Sequence, residues 1–181
     1  MEQTLRLVTI SVSNLPEIRK NLPRDLPPVR GNITQIRQVI VNLMTNAAEA
    51  LSDKQGFITV TTERAPHRHV SAVNGVNGLP EGEYVRLTVS DTGRGMNAET
   101  RAKIFDQFFT TKSAGRGLGL AAVRGIVRSH GGAINAASRL GAGATFEVLL
   151  PVYVCSERTA PGVLSAETAK QLQPVISLEL S

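Results

Sequence analysis

Tryptophan is absent, aromatic residues make up 4%, and Cys155 is the one cysteine among 181 residues. A lone cysteine excludes an intrachain disulfide. No CxxC or HExxH occurs, so a zinc site has no support. No apolar stretch approaches the roughly 18 residues that a membrane-spanning helix needs, and no membrane contact by this chain is expected. The N-terminal MEQTLRLVTISVSN lacks the basic-then-apolar order of a signal peptide. Basic residues outnumber acidic ones 20 to 15, giving a net charge of +5, yet no run of five Lys or Arg is found. With so few aromatics, a base-stacking surface for nucleic acid is not expected. The positive balance suits an anionic nucleotide or an acidic partner equally well.

What remains is ordinary globular composition, 41% hydrophobic and 19% charged, at a length that suits one domain with a tail. The glycines are unevenly spread, clustering between Gly93 and Gly143.

Residues 3–13 are ambiguous between helix and strand, and Pro16 breaks them. Residues 17–22 read as a short edge strand and 23–28 (PRDLPP) as a rigid connector. The clearest helix spans 33–51, capped by Asn32 or Thr34, with Ile36, Ile40, Leu43, Ala47 and Ala50 on one face. Residues 57–63 and 84–90 alternate as strands. Between them, 65–82 reads as a polar loop with Asn-Gly at 74–75 and 77–78. A short helix is expected near 98–105 and a better one over 118–129, ended by Gly131-Gly132. Residues 133–138 and 144–150 read as a final strand pair, closed by Pro151. The order is not the regular βαβ alternation of a doubly wound sheet. It predicts an α+β fold, an α/β sandwich with helices on one face of a mixed sheet. Residues 152–181 show no core of their own; a short helix near 166–172, stopped by Pro174, is possible.

Four segments carry chemistry. Asn42 and Asn46 lie four apart, so they share a helix face beside the apolar stripe. Their amide oxygens are neutral hard donors suited to a Mg²⁺ already held by phosphates; taken alone, such a pair is a common helix-surface feature. Asp91-Thr92-Gly93-Arg94-Gly95-Met96 follows a strand directly, and its glycines let backbone approach a flat ligand. A carboxylate only accepts hydrogen bonds. It can take one from the exocyclic amine of adenine but opposes the carbonyl of guanine, so Asp91 would select ATP over GTP. In FDQFFTTK, Phe105, Phe108 and Phe109 look like anchors of a loop that folds down, and Lys112 could reach a phosphate as a point charge. Gly115-Arg116-Gly117-Leu118-Gly119 opens a helix and would offer backbone N–H groups and a positive dipole end to phosphate. It is neither a Walker A loop nor a dinucleotide fingerprint.

Jointly, QVIVNLMTNAAEAL, DTGRGM, FDQFFTTK and GRGLGLAAV resemble the N, G1, F and G2 boxes of the sensor histidine kinase catalytic domain. That family is grouped with gyrase, mismatch-repair and heat-shock chaperone ATPases. HGGAINAASRLGAGATFEVLLP is similar to its closing segment, and the likeness covers about residues 26–151. The resemblance implies the histidine-kinase ATPase fold, with ATP and Mg²⁺ as ligands. Asn46 would bind the metal, with Asn42 near the metal or the γ-phosphate. Asp91 would take the adenine amine, with Gly93, Gly95 and Met96 bordering the base. Lys112, Gly115, Gly117, Leu118 and Gly119 would hold the phosphates, and Thr145 would assist at the adenine through a water. Residues 96–115 would form a lid over the nucleotide.

Three departures stand out. Asn42 occupies the place of a water-activating Glu in the hydrolysing relatives, and an amide is no general base. Gln107 replaces the usual Pro of the F box. Glu49 stands where many kinases carry a basic residue. His67 and His69 lie in the polar loop and His130 at a helix end, favourable there for dipole reasons; none resembles a phosphoacceptor. The expected organisation is a linker remnant over 1–16, an ATP-binding domain over 17–151, and a tail or linker over 152–181. The expected partners are a helical dimerisation domain bearing the acceptor histidine and then a response-regulator receiver domain, in the cytoplasm of a bacterium. The alternatives are a non-catalytic ATP sensor and an ATPase or serine kinase of the same superfamily.

Overall fold

The computed structural model describes residues 16–51, 55–67, 79–112, 115–153 and 175–176. The expectations for 3–13, the Asn-Gly pairs, His69, Cys155 and the possible helix at 166–172 lie outside the described residues. In chain order the elements are β1 (Glu17–Asn21), β2 (Val29–Arg30), α1 (Ile33–Leu51), β3 (Phe57–His67), β4 (Gly82–Asp91), α2 (Ala98–Lys103), α3 (Gly119–Ser129), β5 (Ala133–Ser138), β6 (Ala144–Pro151) and β7 (Val175–Ile176).

Five strands make one mixed sheet in the order β1-β3-β4-β6-β5. β1 pairs with β3 in parallel, and the three other pairings are antiparallel. Strand alternation decides which face is covered. Val85, Leu87, Val89 and Asp91 of β4 are buried, as are Ala144, Phe146, Val148 and Leu150 of β6. The intervening residues are half-buried on the open face. Helices α1 and α3 pack on each other and on the sheet. α1 buries Ile36, Val39, Ile40, Leu43, Met44, Ala47, Ala48 and Leu51, the i, i+3, i+4 spacing of a helix with one face on a core. This stripe is broader than the one read from the sequence, and Ala50 sits at its edge, half-buried.

Asn32 is the cap of α1. Its Oδ1 accepts from the N–H groups of Thr34 at 2.9 Å and Gln35 at 3.2 Å, which would otherwise lack partners. The N–H of Asn32 itself donates to Nε2 of His130 at 3.0 Å. Nδ1 of the same ring lies 2.8 Å from the Ile126 carbonyl. His130 therefore bridges the start of α1 and the end of α3. Asn32→Ala is expected to cost about 1 kcal/mol, read as a lowered midpoint in thermal denaturation.

The expected loop at 65–82 needs correction. β3 continues through Ala65, Pro66 and His67, in register with Tyr84, Glu83 and Gly82. Alternating burial was obscured there by Pro66, which is exposed. His67 is thus a strand residue. At the C-terminal end, pairing outlasts Pro151: the N–H of Val152 donates to Glu83 O at 2.9 Å and that of Tyr153 to Pro28 O at 2.8 Å. A small second sheet joins β2 to β7 antiparallel. Among the described residues, no helix is long and apolar enough to cross a membrane.

Candidate functional site

The helix-covered side of the sheet opens beyond the end of β4 into a cavity of about 320 Å³, within the usual range for small-molecule sites. Its wall joins α1 (Asn46, Ala50), the end of β4 (Asp91), the following loop (Arg94, Gly95, Met96), the segment before α3 (Phe109, Thr110, Lys112) and β6 (Ala144, Phe146).

Asp91 is 5% exposed. Its Oδ1 accepts from the Gly93 N–H at 2.8 Å. Burial pushes the Asp91 carboxyl above the ordinary carboxylate range, while hydrogen bonds from the backbone of Gly93 and Ala144 pull the other way. A buried anion so placed is held ready for a donor from the cavity.

The loop after Asp91 is fixed from three sides. Arg94 N–H donates to Ala50 O at 3.0 Å, and Gly141 N–H donates to Arg94 O at 2.7 Å. Met96 N–H donates to Ser138 Oγ at 2.8 Å, and that hydroxyl donates to Gly143 O at 2.7 Å. The β5–β6 turn thus clamps the loop that shapes the cavity. Ser138 carried no signal in the sequence, because its role depends on a partner 42 residues away.

On the cavity wall, Lys112 Nζ donates to Asn46 Oδ1 at 2.7 Å and is ion-paired with the Glu49 carboxylate. Asn46 and Lys112 are therefore brought together, and Glu49 joins them. Met96 and Gly95 also line the cavity, whereas Gly93 serves by donating to Asp91.

Two of the expected residues stand apart from the cavity lining. Asn42 lies outside the cavity lining. Its Oδ1 accepts from Gln38 Nε2 at 2.9 Å and its Nδ2 donates to Gly119 O at 3.2 Å, so its oxygen is spent within α1 and its amide ties α1 to the start of α3. Thr145 pairs with Ser90, their hydroxyls 2.9 Å apart. One residue earlier, Ala144 pairs with Asp91 and lines the cavity. A shift of one residue along a strand reverses the face, and Thr145 belongs to the open face.

The glycine-rich segment packs against the phenylalanine segment. Phe108 N–H donates to Gly117 O at 3.1 Å. A Cβ on Gly117, whose φ is 65°, would lie 2.4 Å from the Phe108 carbonyl carbon. Phe105 and Phe109 pack on the core as anchors, but Phe108 is 74% exposed and anchors nothing. Leu118 and Gly119 start α3, which no side chain caps, so its first N–H groups lack intrahelical partners. Gly115 donates its N–H to Lys112 O at 3.4 Å.

The sequence pattern of the histidine kinase-, DNA gyrase B-, and HSP90-like ATPases matches residues 31–154. The chain is 38% identical over 156 residues to the sensor kinase CckA of Brucella abortus (strain 2308), covering 85% of this chain and 16% of that protein. It is 37% identical over 129 residues to the sensor histidine kinase ZraS of Escherichia coli (strain K12), covering 71% of this chain and 24% of that one. The full-length ShkA structure in complex with AMPPNP superimposes with a TM-score of 0.60 at 28% identity, over 83% of this chain and 29% of ShkA. The chain thus spans under a quarter of the length of the two curated relatives. On sequence and fold together, it belongs to the histidine kinase-, DNA gyrase B-, and HSP90-like ATPase family, as a catalytic domain of the sensor histidine kinase kind.

Proposed function

We propose that this domain binds Mg·ATP in the cavity and presents the γ-phosphate to a histidine on a separate helical domain of its parent kinase, from which it passes to a receiver domain. The observation that carries the reading is the buried Asp91 carboxylate in the wall of a cavity that Asn46 and Lys112 also line. An acceptor-only group fits the adenine amine. The amide oxygen of Asn46 is a neutral hard donor that fits Mg²⁺. When bound, the metal neutralises charge on the phosphates.

The chain's own residues do the rest. Asp91 fixes the base, and Gly95 and Met96 border it. Phe146 and Ile104 give the site apolar walls. Lys112 and the uncapped start of α3 attract the phosphates. Phosphoryl transfer needs mainly positioning and charge stabilisation. Asn42, an amide engaged with Gln38 and Gly119, offers no base to activate water, which favours transfer to a protein side chain over hydrolysis.

Calorimetric titration of ATP into the 181-residue chain tests this reading. Micromolar to millimolar affinity in Mg²⁺ is expected, about −4 to −8 kcal/mol. Asn46→Ala should retain nucleotide binding but lose its metal dependence. Heat-silent titrations of the wild type, with no thermal stabilisation by ATP, would remove the proposal. Phosphotransfer is then read by labelling the helical domain of the parent with γ-labelled ATP.

A further inference from the structure

We propose that Glu49 is a second protein ligand of the metal that accompanies the nucleotide, and that the Lys112 ammonium occupies the same cation position when the metal is not there. The inference rests on the Mg·ATP reading above and adds a residue to it.

Asn46 and Glu49 lie three apart on α1, so their side chains leave the same side of the helix. They converge on one cation: Lys112 Nζ donates to Asn46 Oδ1 at 2.7 Å and pairs with the Glu49 carboxylate. A positive centre thus sits between a neutral amide oxygen and an anionic carboxylate oxygen; Asn46 and Lys112 line the cavity, and Glu49 stands beside them just outside its lining. Two hard oxygens from one helix face match what Mg²⁺ takes from a protein, its other positions being left to phosphate and water. Without a shared cation, a carboxylate beside a polyphosphate would be repelled. With one, its charge assists.

The present occupant is easily exchanged. The side chains of Lys112 and Glu49 are 33% and 47% exposed, and ion pairs this wet are worth about 0–1 kcal/mol. Once released from Asn46 and Glu49, Lys112 can turn its three donors on a flexible stem toward phosphate oxygens. Glu49 then keeps a cationic partner throughout. The acidic residue at this position is thereby compatible with an anionic ligand.

The test is calorimetric titration of ADP into the full chain, wild type and Glu49→Gln, in Mg²⁺ and in EDTA. Electron paramagnetic resonance of Mn²⁺ replacing Mg²⁺ reports the metal directly. In EDTA, Glu49→Gln is expected to bind ADP as well as the wild type or better, since Lys112 is freer. In Mg²⁺ it is expected to bind about tenfold or more weakly than the wild type, the size typical of losing a supporting group at a metal site, with a matching loss of bound Mn²⁺. Tighter binding by the variant in both buffers would make Glu49 merely a competitor for Lys112 and overturn the proposal. Equal affinities in Mg²⁺ would overturn it as well. Failure of the wild type to bind ADP in either buffer is a different result, which removes the nucleotide reading and this inference with it.

Discussion

Asp91→Asn is expected to reduce ATP affinity by at least about 100-fold, or about 2.8 kcal/mol at 1.4 kcal/mol per decade, while the domain stays folded. The geometry sets the direction. Oδ1 of Asp91 is held by the Gly93 N–H at 2.8 Å. An asparagine that keeps its oxygen on that donor turns its NH₂ to the other side, where the adenine amine would bind. The adenine amine then meets a donor instead of an acceptor, and the mismatch leaves buried polar groups unpaired. The same NH₂ faces the guanine carbonyl favourably, so the preference for ATP over GTP should narrow. Competitive titration with the two nucleotides measures both effects.

The variant should also separate binding from stability. Burial raises the Asp91 carboxyl from its ordinary range, so the folded state holds the proton more tightly than the unfolded chain. The penalty for burying the ionised form is absent below the ordinary carboxylate range. It develops as pH rises from the ordinary carboxylate range through the raised value and is complete above it. Without ligand, Asp91→Asn should therefore melt at or above the wild-type temperature at pH 7, and this advantage should shrink toward pH 4. A melting temperature well below the wild type at pH 7 would mean that the carboxylate is needed for the fold, against this account.

Gly95→Ala is expected to damage fold and site together. Gly95 has φ 64°, and a Cβ there would lie 2.0 Å from the Arg139 carbonyl oxygen. The left-handed conformation costs a non-glycine residue about 1–2 kcal/mol, and forcing an atom into packed backbone adds about 1–3 kcal/mol. A total of about 2–5 kcal/mol should lower the melting temperature by roughly 4–20 °C for a domain of this size. Because Gly95 lines the cavity, ATP affinity should fall as well. Thermal denaturation with and without ATP separates the two losses. A variant with wild-type stability would show that the 139–143 turn yields to Gly95, and that its clamp on the loop is looser than described.

Much of this architecture could be read along the chain. The stripe on 33–51 predicted α1 with its ends correct, because helical burial repeats every three to four residues and needs no knowledge of the partner. The strand pair after Gly132 was legible for the same reason at period two. Asp91 was legible as an acceptor from its place between a strand and a glycine-rich loop. Where β3 ends was not, since Pro66 and the polar residues around it read as loop, while pairing with β4 supplies the hydrogen bonds that keep them extended.

Residue types and their period were readable along the chain: the helical stripe, the alternating strands, a carboxylate, two amides, a lysine and the glycines. What those groups face was set by packing. Register put Ala144 beside Asp91 and sent Thr145 to the open face. The packing of α1 on α3 engaged Asn42 with Gly119, 77 residues away, and the loop before α3 brought Lys112 to Glu49 across 63 residues. Periodicity is a property of neighbours along the chain, whereas the partner of a polar atom is set by whichever distant segment is packed against it.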